Sequence, residues 1–367
     1  MRILVTGDNG YIGFPTIIEL INNTGHTIIG VDNDFRTEWV EKVTGKLFYP
    51  ETQNLHSDGR YIHIKGDLTD ASFVNEILAI HKPDCIIHLA SQPSMPYSQI
   101  NGERAAFSQI NNLSMLLNLL WGAKCIVPKC RFVVTTTTGI PGQMYDWIPE
   151  EPVINAAGSW YHVSRGFDSA NMALAAKQWG VTILELRTAI VYGIQTEAMR
   201  EYGLQTRFDT DYYFGTALNR FVQAGIDGKE ITVYGKGHQT KPFISLEDTV
   251  HSLVNAIHYD VPPGHYIFNQ TTESVAIVEL AKMIHQHTNA PIIHLDNPRK
   301  ENEDFHMTFD NARFLHLLGR EPVRMESEIK CMIEHINGRS YAEEGNSFSV
   351  DDCSGLGGTW SADSDSE

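Results

Sequence analysis

The run Arg2 to Thr6 empties into Gly7-Asp8-Asn9-Gly10-Tyr11-Ile12-Gly13, and a helical apolar stretch through Ile17 to Ile21 follows. Strand, glycine turn and helix in that order allow few folds. The glycines permit a tight turn, close approach of backbone to a pyrophosphate, and close packing of helix on strand. The helix start adds unpaired N–H groups and the positive end of a dipole. Asp32 ends the next strand, 19 residues after Gly13. A carboxylate there accepts both ribose hydroxyls of NAD and repels the extra phosphate of NADP. Asn33, not Arg, follows it. The spacing therefore predicts NAD as cofactor, held by Gly7, Asn9, Gly10, Tyr11, Ile12, Gly13, Asp32 and Asn33. The competing reading is a turn needed only for packing, with Asp32 as a strand-end cap.

The rhythm of the first half supports a sheet around that turn. Strand signals fall at residues 2–6, 27–31, 61–65, 84–90, 131–136 and 181–187, and helical signals at 71–81, 105–121 and 159–179. Residues 33–60 are polar and read as an irregular excursion. Strands alternating with helices of this length predict an α/β fold, a doubly wound parallel sheet covered on both faces. On such a sheet Asp67-Leu68 lies near the adenine and Leu89-Ala90-Ser91 along the pyrophosphate and ribose. Asn112, on the helix after the fourth strand, joins the same set. After residue 192 turn-rich stretches separate shorter elements, which predicts a smaller lobe closing over the carboxyl edge of the sheet. The expected division is 1–191 for the cofactor domain and 192–325 for the substrate lobe, with chain crossings back to the first. From Ser340 to the end there are seven acidic residues and no Lys or Arg, a composition expected to stay disordered.

The net charge of −17 argues against nucleic acid and anionic membranes as partners, since no basic cluster offsets it. No apolar run approaches the roughly 20 residues of a membrane span. The segment MRILVTG lacks the pattern of a secretory leader, and the five cysteines are scattered, with no zinc set. These features predict a reduced, cytoplasmic protein without a structural metal.

Tyr161 and Arg165 are four residues apart at the start of a helical run and share one face. A free phenol, with a pKa near ~10, is a poor base at neutral pH. A fixed cation favours the phenolate, and a shift of about three units takes roughly 4 kcal/mol. Thr137, at the end of the fifth strand, can bond the same substrate hydroxyl.

The glycine motif, Asp32, Thr137, the Tyr161/Arg165 pair and Val191-Tyr192-Gly193 together resemble the extended short-chain dehydrogenase/reductase superfamily. Its members carry a Rossmann sheet with a smaller C-terminal α/β lobe. Pro96-Tyr97-Ser98, WYHVSR with Asp168-Ser169, FGTALNRF, ITVYGKGHQT, Phe268-Asn269-Gln270 and Asn297-Pro298-Arg299 are similar to the sulfoquinovose-synthase branch. The likeness covers residues 1–325. It implies a nucleotide-sugar substrate, a UDP-hexose above all, and a homodimer built from the paired helices near 105–121 and 159–179. It also implies a mechanism in which Tyr161 takes the proton of the sugar 4-hydroxyl as C4 gives hydride to NAD.

The resemblance also implies that Tyr161 and the residue at 165 bind the cofactor at its nicotinamide ribose. Three positions depart from the pattern. Arg165 stands where the family has Lys, and its planar fork does not reproduce a point ammonium. Ile140 stands where the branch has Glu, and an apolar side chain moves no proton. Pro93 stands where the branch has an Arg expected to help hold sulfite. His162 matches the branch and is the remaining titratable candidate near Tyr161; a packed histidine is the other reading. In the second lobe the resemblance places Lys241 and Arg299 on the diphosphate, where surface charge is the other reading, and Thr216, Asn219, Tyr234 and Gln239 around the sugar nucleotide together with Tyr97 of the first domain. Thr216 and Asn219 read equally as helix-capping and packing residues. Tyr234 reads equally as core.

Overall fold

The computed structural model describes residues 1–46, 48, 59–297 and 306–340. Arg299 and the acidic tail after Ser340 lie outside the described residues. The chain begins with β1 (Arg2–Thr6), α1 (Gly13–Asn23), β2 (Thr27–Asp32), α2 (Phe35–Thr44), β3 (Tyr61–Lys65), α3 (Ala71–His81) and β4 (Cys85–His88). Next come α4 (Met95–Ser98), α5 (Gly102–Ile126), β5 (Arg131–Thr137), β6 (Trp147–Ile148), α6 (Trp160–Trp179), β7 (Thr182–Thr188) and β8 (Ile190–Tyr192). They are followed by α7 (Glu197–Glu201), α8 (Ala217–Ile226), β9 (Ile231–Tyr234), β10 (Thr240–Ser245), α9 (Leu246–Ile257) and β11 (Gly264–Gln270). The described chain closes with β12 (Glu273–Ala276), α10 (Ile277–Thr288), β13 (Ile292–Leu295), β14 (Thr308–Phe309), α11 (Ala312–Leu318) and α12 (Met325–Ser340).

Seven strands form one parallel sheet in the order β11-β7-β5-β4-β1-β2-β3. Side chains alternate across it. Ile3 and Val5 of β1 pack with Phe14, Ile17 and Leu20 of α1 and Leu253 and Ala256 of α9. Leu4, one residue away, joins Val74 and Leu78 of α3, Leu116 and Leu120 of α5 and Met172 of α6 on the other face. Each such side chain, taken fully out of water, contributes roughly 1.5–3 kcal/mol. The strand order reverses between β1 and β4, so the loops after these two strands part and leave a crevice at their carboxyl ends. The expected doubly wound sheet is thus the observed one.

One feature differs from the sequence reading. The stretch after residue 32 is not wholly irregular: Phe35–Thr44 is helical, ends at Gly45 in the left-handed region (φ 68°), and buries Thr37 and Val40. Its polar composition masked the i,i+4 pair Phe35 and Trp39, whose rings stack 6.3 Å apart. Strand β11 and helix α9, from the second half of the chain, return to the large sheet, β11 pairing with β7 in parallel register. The smaller lobe keeps a core of its own, with Leu218 and Val222 of α8, Ile231 and Val233 of β9, Phe243 of β10 and Ile284 of α10.

Candidate active site

A cavity of about 560 Å³ follows the crevice from the glycine turn to the start of α6, a size usual for small-ligand sites. Gly7, Gly10, Tyr11, Ile12, Gly13, Asp32, Asn33, Leu68, Leu89, Ala90 and Ser91 all line its first half. A Cβ built on Gly13 would lie 1.9 Å from the Gly7 carbonyl oxygen, so only glycine lets α1 approach the turn. Helices α3, α5 and α6 are capped by Asp70, Asn101 and Ser159, whereas α1 has no side-chain cap and no acid in its first turn. The start of α1 lines the cavity with no acid of its own, so the positive end of its dipole is offered to an anionic pyrophosphate. The residues present therefore fit NAD.

The Asp32 carboxylate receives the backbone N–H groups of Asp34 at 2.8 Å and Asn9 at 3.3 Å. Asn9 itself stands behind the cavity wall, donating to Asp34 at 2.9 Å. Asp67 is a turn residue bonded to Thr69, and its neighbours Gly66 and Leu68 reach the cavity in its place. Asn112 is fully buried; it accepts from the Gln92 backbone at 2.7 Å and donates to Ser164 at 3.0 Å, tying the loop after β4 to α6.

Burial pushes the Asp32 carboxyl up to about 6, with Asp8 and Asp34 adding and the two N–H donors opposing. Only the ionised form accepts both ribose hydroxyls. NAD affinity is therefore expected to rise with pH through about 6, several-fold between about pH 5 and about pH 8. The folding contribution has the opposite sign. The native state holds this proton more tightly than the unfolded chain, so stability from this group falls as pH climbs from about 4 to about 6. Calorimetric titration with NAD across that range checks the first point, and Asp32→Asn should flatten the profile.

The second half of the cavity holds the chemistry. Ser159 caps α6, accepting from the His162 N–H at 3.2 Å, and so fixes Tyr161 and His162 in the first turn. Tyr161, His162, Arg165, Thr137 and Lys241 line one end together. Burial raises the Tyr161 phenol, the Arg165 charge opposes it, Asp168 adds to the rise, and a hydrogen bond with Thr137 pulls it down. The Arg165 guanidinium is buried; Nη1 donates to Asp168 at 2.7 Å and Nη2 to the Thr135 carbonyl. His162 shares a 2.7 Å hydrogen bond with Ser159 through Nδ1, and its ring edge lies over Gly139, where a Cβ would come within 2.4 Å of it. Burial and the charge of Lys241 carry His162 down to about 4, so its ring is neutral at physiological pH.

The substrate set divides. Thr216 lines the cavity and caps α8 through the Asn219 N–H, while Asn219 is turned away to the Asp209 carbonyl at 3.1 Å. Tyr97 is buried behind the wall, accepting from Arg104 at 2.9 Å and packing edge-on against Trp39. Gln239 is buried outside the lining, and Tyr234 projects to solvent from β9, half exposed. Neither packing against a base nor a core position fits Tyr234. Pro93 lines the cavity as expected of its place, and Ile140 is buried outside the lining.

Sequence reasoning missed Arg36. It lines the cavity four residues after Asp32, and its guanidinium pairs with Asp209 at 2.8 Å, which in turn is held by the buried Arg207. The single Asp209 carboxylate is shared by the two guanidiniums, so this trio keeps a net positive charge beside the cavity. The helical spacing of Phe35 and Trp39 was the signal that could have found it.

Residues 3–269 match the NAD dependent epimerase/dehydratase family, and the chain belongs to that family. It is accordingly an NAD-dependent enzyme that modifies nucleotide-linked sugars. The UDP-sulfoquinovose synthase of Sulfolobus acidocaldarius is 32% identical, covering 92% of each chain. The chloroplastic UDP-sulfoquinovose synthase of Spinacia oleracea is 33% identical over 86% of this chain and 71% of that one. Among solved structures, the UDP-glucuronic acid 4-epimerase of Bacillus cereus superposes with a TM-score of 0.75 at 22% identity, over 92% of this chain and 100% of that one. That likeness is one of fold.

Proposed function

We propose that the protein oxidises the hexose of a UDP-linked sugar at C4, with Tyr161 as the base. The observation that carries this reading is the Tyr161 phenol, which shares with Thr137 and Arg165 the lining of the cavity that starts at the glycine turn. NAD, when bound, supplies the acceptor for the hydride leaving C4. The proton of the 4-hydroxyl passes to the Tyr161 phenolate, its O–H bond breaking as the C4 carbonyl forms. Thr137 orients that hydroxyl, and Arg165, one turn along α6, stabilises the charge on the phenolate. Lys241 and Thr216, from the smaller lobe, hold the nucleotide-sugar, as a cation and a hydroxyl suit a diphosphate and a sugar. Residues 1–191 thus serve the cofactor and 192–325 the sugar, with β11 and α9 crossing back.

Among the described residues Asp32 is the one carboxylate lining the cavity, and it sits at the ribose end. Loss of water from the sugar needs a proton donor at the other end, where His162 is neutral and no carboxylate lines the cavity among the described residues. The step after oxidation is therefore re-reduction of the ketone in preference to elimination. The UDP in the names of the similar synthases and of the 4-epimerase supports the same nucleotide here. Rapid mixing of the NAD-loaded enzyme with UDP-glucose, and separately with UDP-glucuronate, is expected to give a burst of NADH absorbance with one of them. A second reading has support in the Arg165 guanidinium being engaged by Asp168 and Thr135: a protein that holds NAD and ligand with little turnover. It predicts binding of both ligands and no burst.

We also place the working unit as a cytoplasmic homodimer. Helices α5 and α6 pack side by side and expose Ile110, Leu117, Trp121, Phe167 and Leu174, which recur at helical spacing. A single copy leaves that stripe in water. Ile110→Asp with Leu174→Asp is expected to halve the mass seen by light scattering and leave NAD binding intact.

A further inference from the structure

The Arg165–Asp168 pair has no counterpart in a site run by a lone lysine. Both side chains are at most 2% exposed, and they are joined by a 2.7 Å ion pair one turn apart on α6. The second arm of the guanidinium is spent on the Thr135 carbonyl of β5. Asp168 Oδ2 receives Arg165, and Oδ1 has no partner among the described residues. The neighbouring Ser169 turns instead to Glu185 at 2.7 Å. Burial pushes the Asp168 carboxyl up to about 7, the Arg165 guanidinium opposes it and the Glu185 charge adds to the rise, so Asp168 depends on Arg165 for its charge. Arg165 in turn depends on Asp168 for its place.

We propose that Asp168 is a positioning residue of the active site: it pins the Arg165 guanidinium beside the Tyr161 phenol and offsets part of its charge. The inference rests on the C4 oxidation argued above. A lone cation would favour the phenolate more strongly; a paired one sets the acid limb of turnover at a higher pH. The other charged and titratable groups facing this pair leave that role to Asp168. His88 of β4 is buried and neutral, held down to about 3 by burial and by Arg165 itself. Glu185 of β7 is occupied by His265 at 2.8 Å, Thr136 at 2.6 Å, Ser169 and Arg187. Thr137 of β5 offers a hydroxyl, and Lys241 of β10 acts on His162.

Asp168→Asn keeps an oxygen for Arg165 Nη1 and removes the charge. Its acid limb in kcat/KM against pH is expected to move down by about one unit, with kcat within about threefold of the parent. Asp168→Ala removes the anchor as well. Its kcat should fall about tenfold with KM nearly unchanged, and Asn at the same position should restore most of the loss. An acid limb that stays put in Asp168→Asn would overturn the proposal and leave the pair a packing element. Should that variant not fold, Arg165→Met and Arg165→Met/Asp168→Asn carry no unpaired guanidinium. These two should share one acid limb; limbs a full unit apart would mean that Asp168 acts without Arg165. Tyr161→Phe, measured alongside, separates the failures. Full turnover there removes the C4 reading itself, whereas a dead Tyr161→Phe with an unmoved Asp168→Asn removes only this inference.

Discussion

Tyr161→Phe is expected to lower kcat by roughly 10²–10⁴-fold, the usual worth of a positioned general base, with NAD affinity unchanged within about twofold. The substitution removes one oxygen from a buried ring. The phenol shares the cavity lining with Thr137 and Arg165, and neither group holds the backbone of the glycine turn. The cofactor half of the cavity should therefore be blind to the change. The ring that remains keeps its apolar contacts, so the thermal midpoint should move little. Steady-state kinetics paired with NAD titration tests this. A loss of NAD binding equal to the loss of turnover would place Tyr161 in cofactor binding and not in proton transfer.

Gly13→Ala is expected to weaken NAD binding more than about 100-fold, which is about 2.7 kcal/mol. The added methyl would meet the Gly7 carbonyl oxygen at 1.9 Å and the Asp8 Cα at 2.8 Å, both backbone atoms that no rotamer can move. The turn must open or α1 must retreat, and either one carries the N–H groups away from the pyrophosphate. Stability should fall as well, by at least about 3 kcal/mol, the upper range for overpacking. Asp8 is bound by Tyr61 at 2.7 Å and His63 at 2.8 Å, so the turn cannot relax freely toward β3. Gly102→Ala is the control. It adds its methyl where nothing lies within 4 Å, so both affinity and unfolding midpoint should hold.

The cofactor half of the site was legible because it is local. Gly7 to Gly13 and Asp32 sit on consecutive elements, and each is read from its own neighbours. Tyr161 and Arg165 were legible as a pair for the same reason, being one helical turn apart. What escaped depends on contacts distant in sequence. Arg36 meets Asp209 across 173 positions, and no periodicity announces such a partner. Asp168 was visible as a matching residue, but its hold on Arg165 beneath β5 needs the third dimension. Asn219, for which packing is the equal reading, and Tyr97 illustrate the converse. Their motif places them correctly along the chain, yet packing turns one to the Asp209 carbonyl and buries the other against Trp39. The return of β11 to the edge of the large sheet likewise follows from pairing with β7, which the composition of residues 264–270 does not specify.

The central claim is that hydride leaves C4 of the sugar as Tyr161 takes the hydroxyl proton. UDP-glucose carrying deuterium at C4, mixed with the NAD-loaded enzyme and quenched within the first turnover, tests it directly by mass spectrometry of the released cofactor. Deuterium in the reduced nicotinamide, absent when Tyr161→Phe is used, is the predicted result. Turnover of the sugar with the label still wholly at C4 and none ever in the cofactor would contradict it.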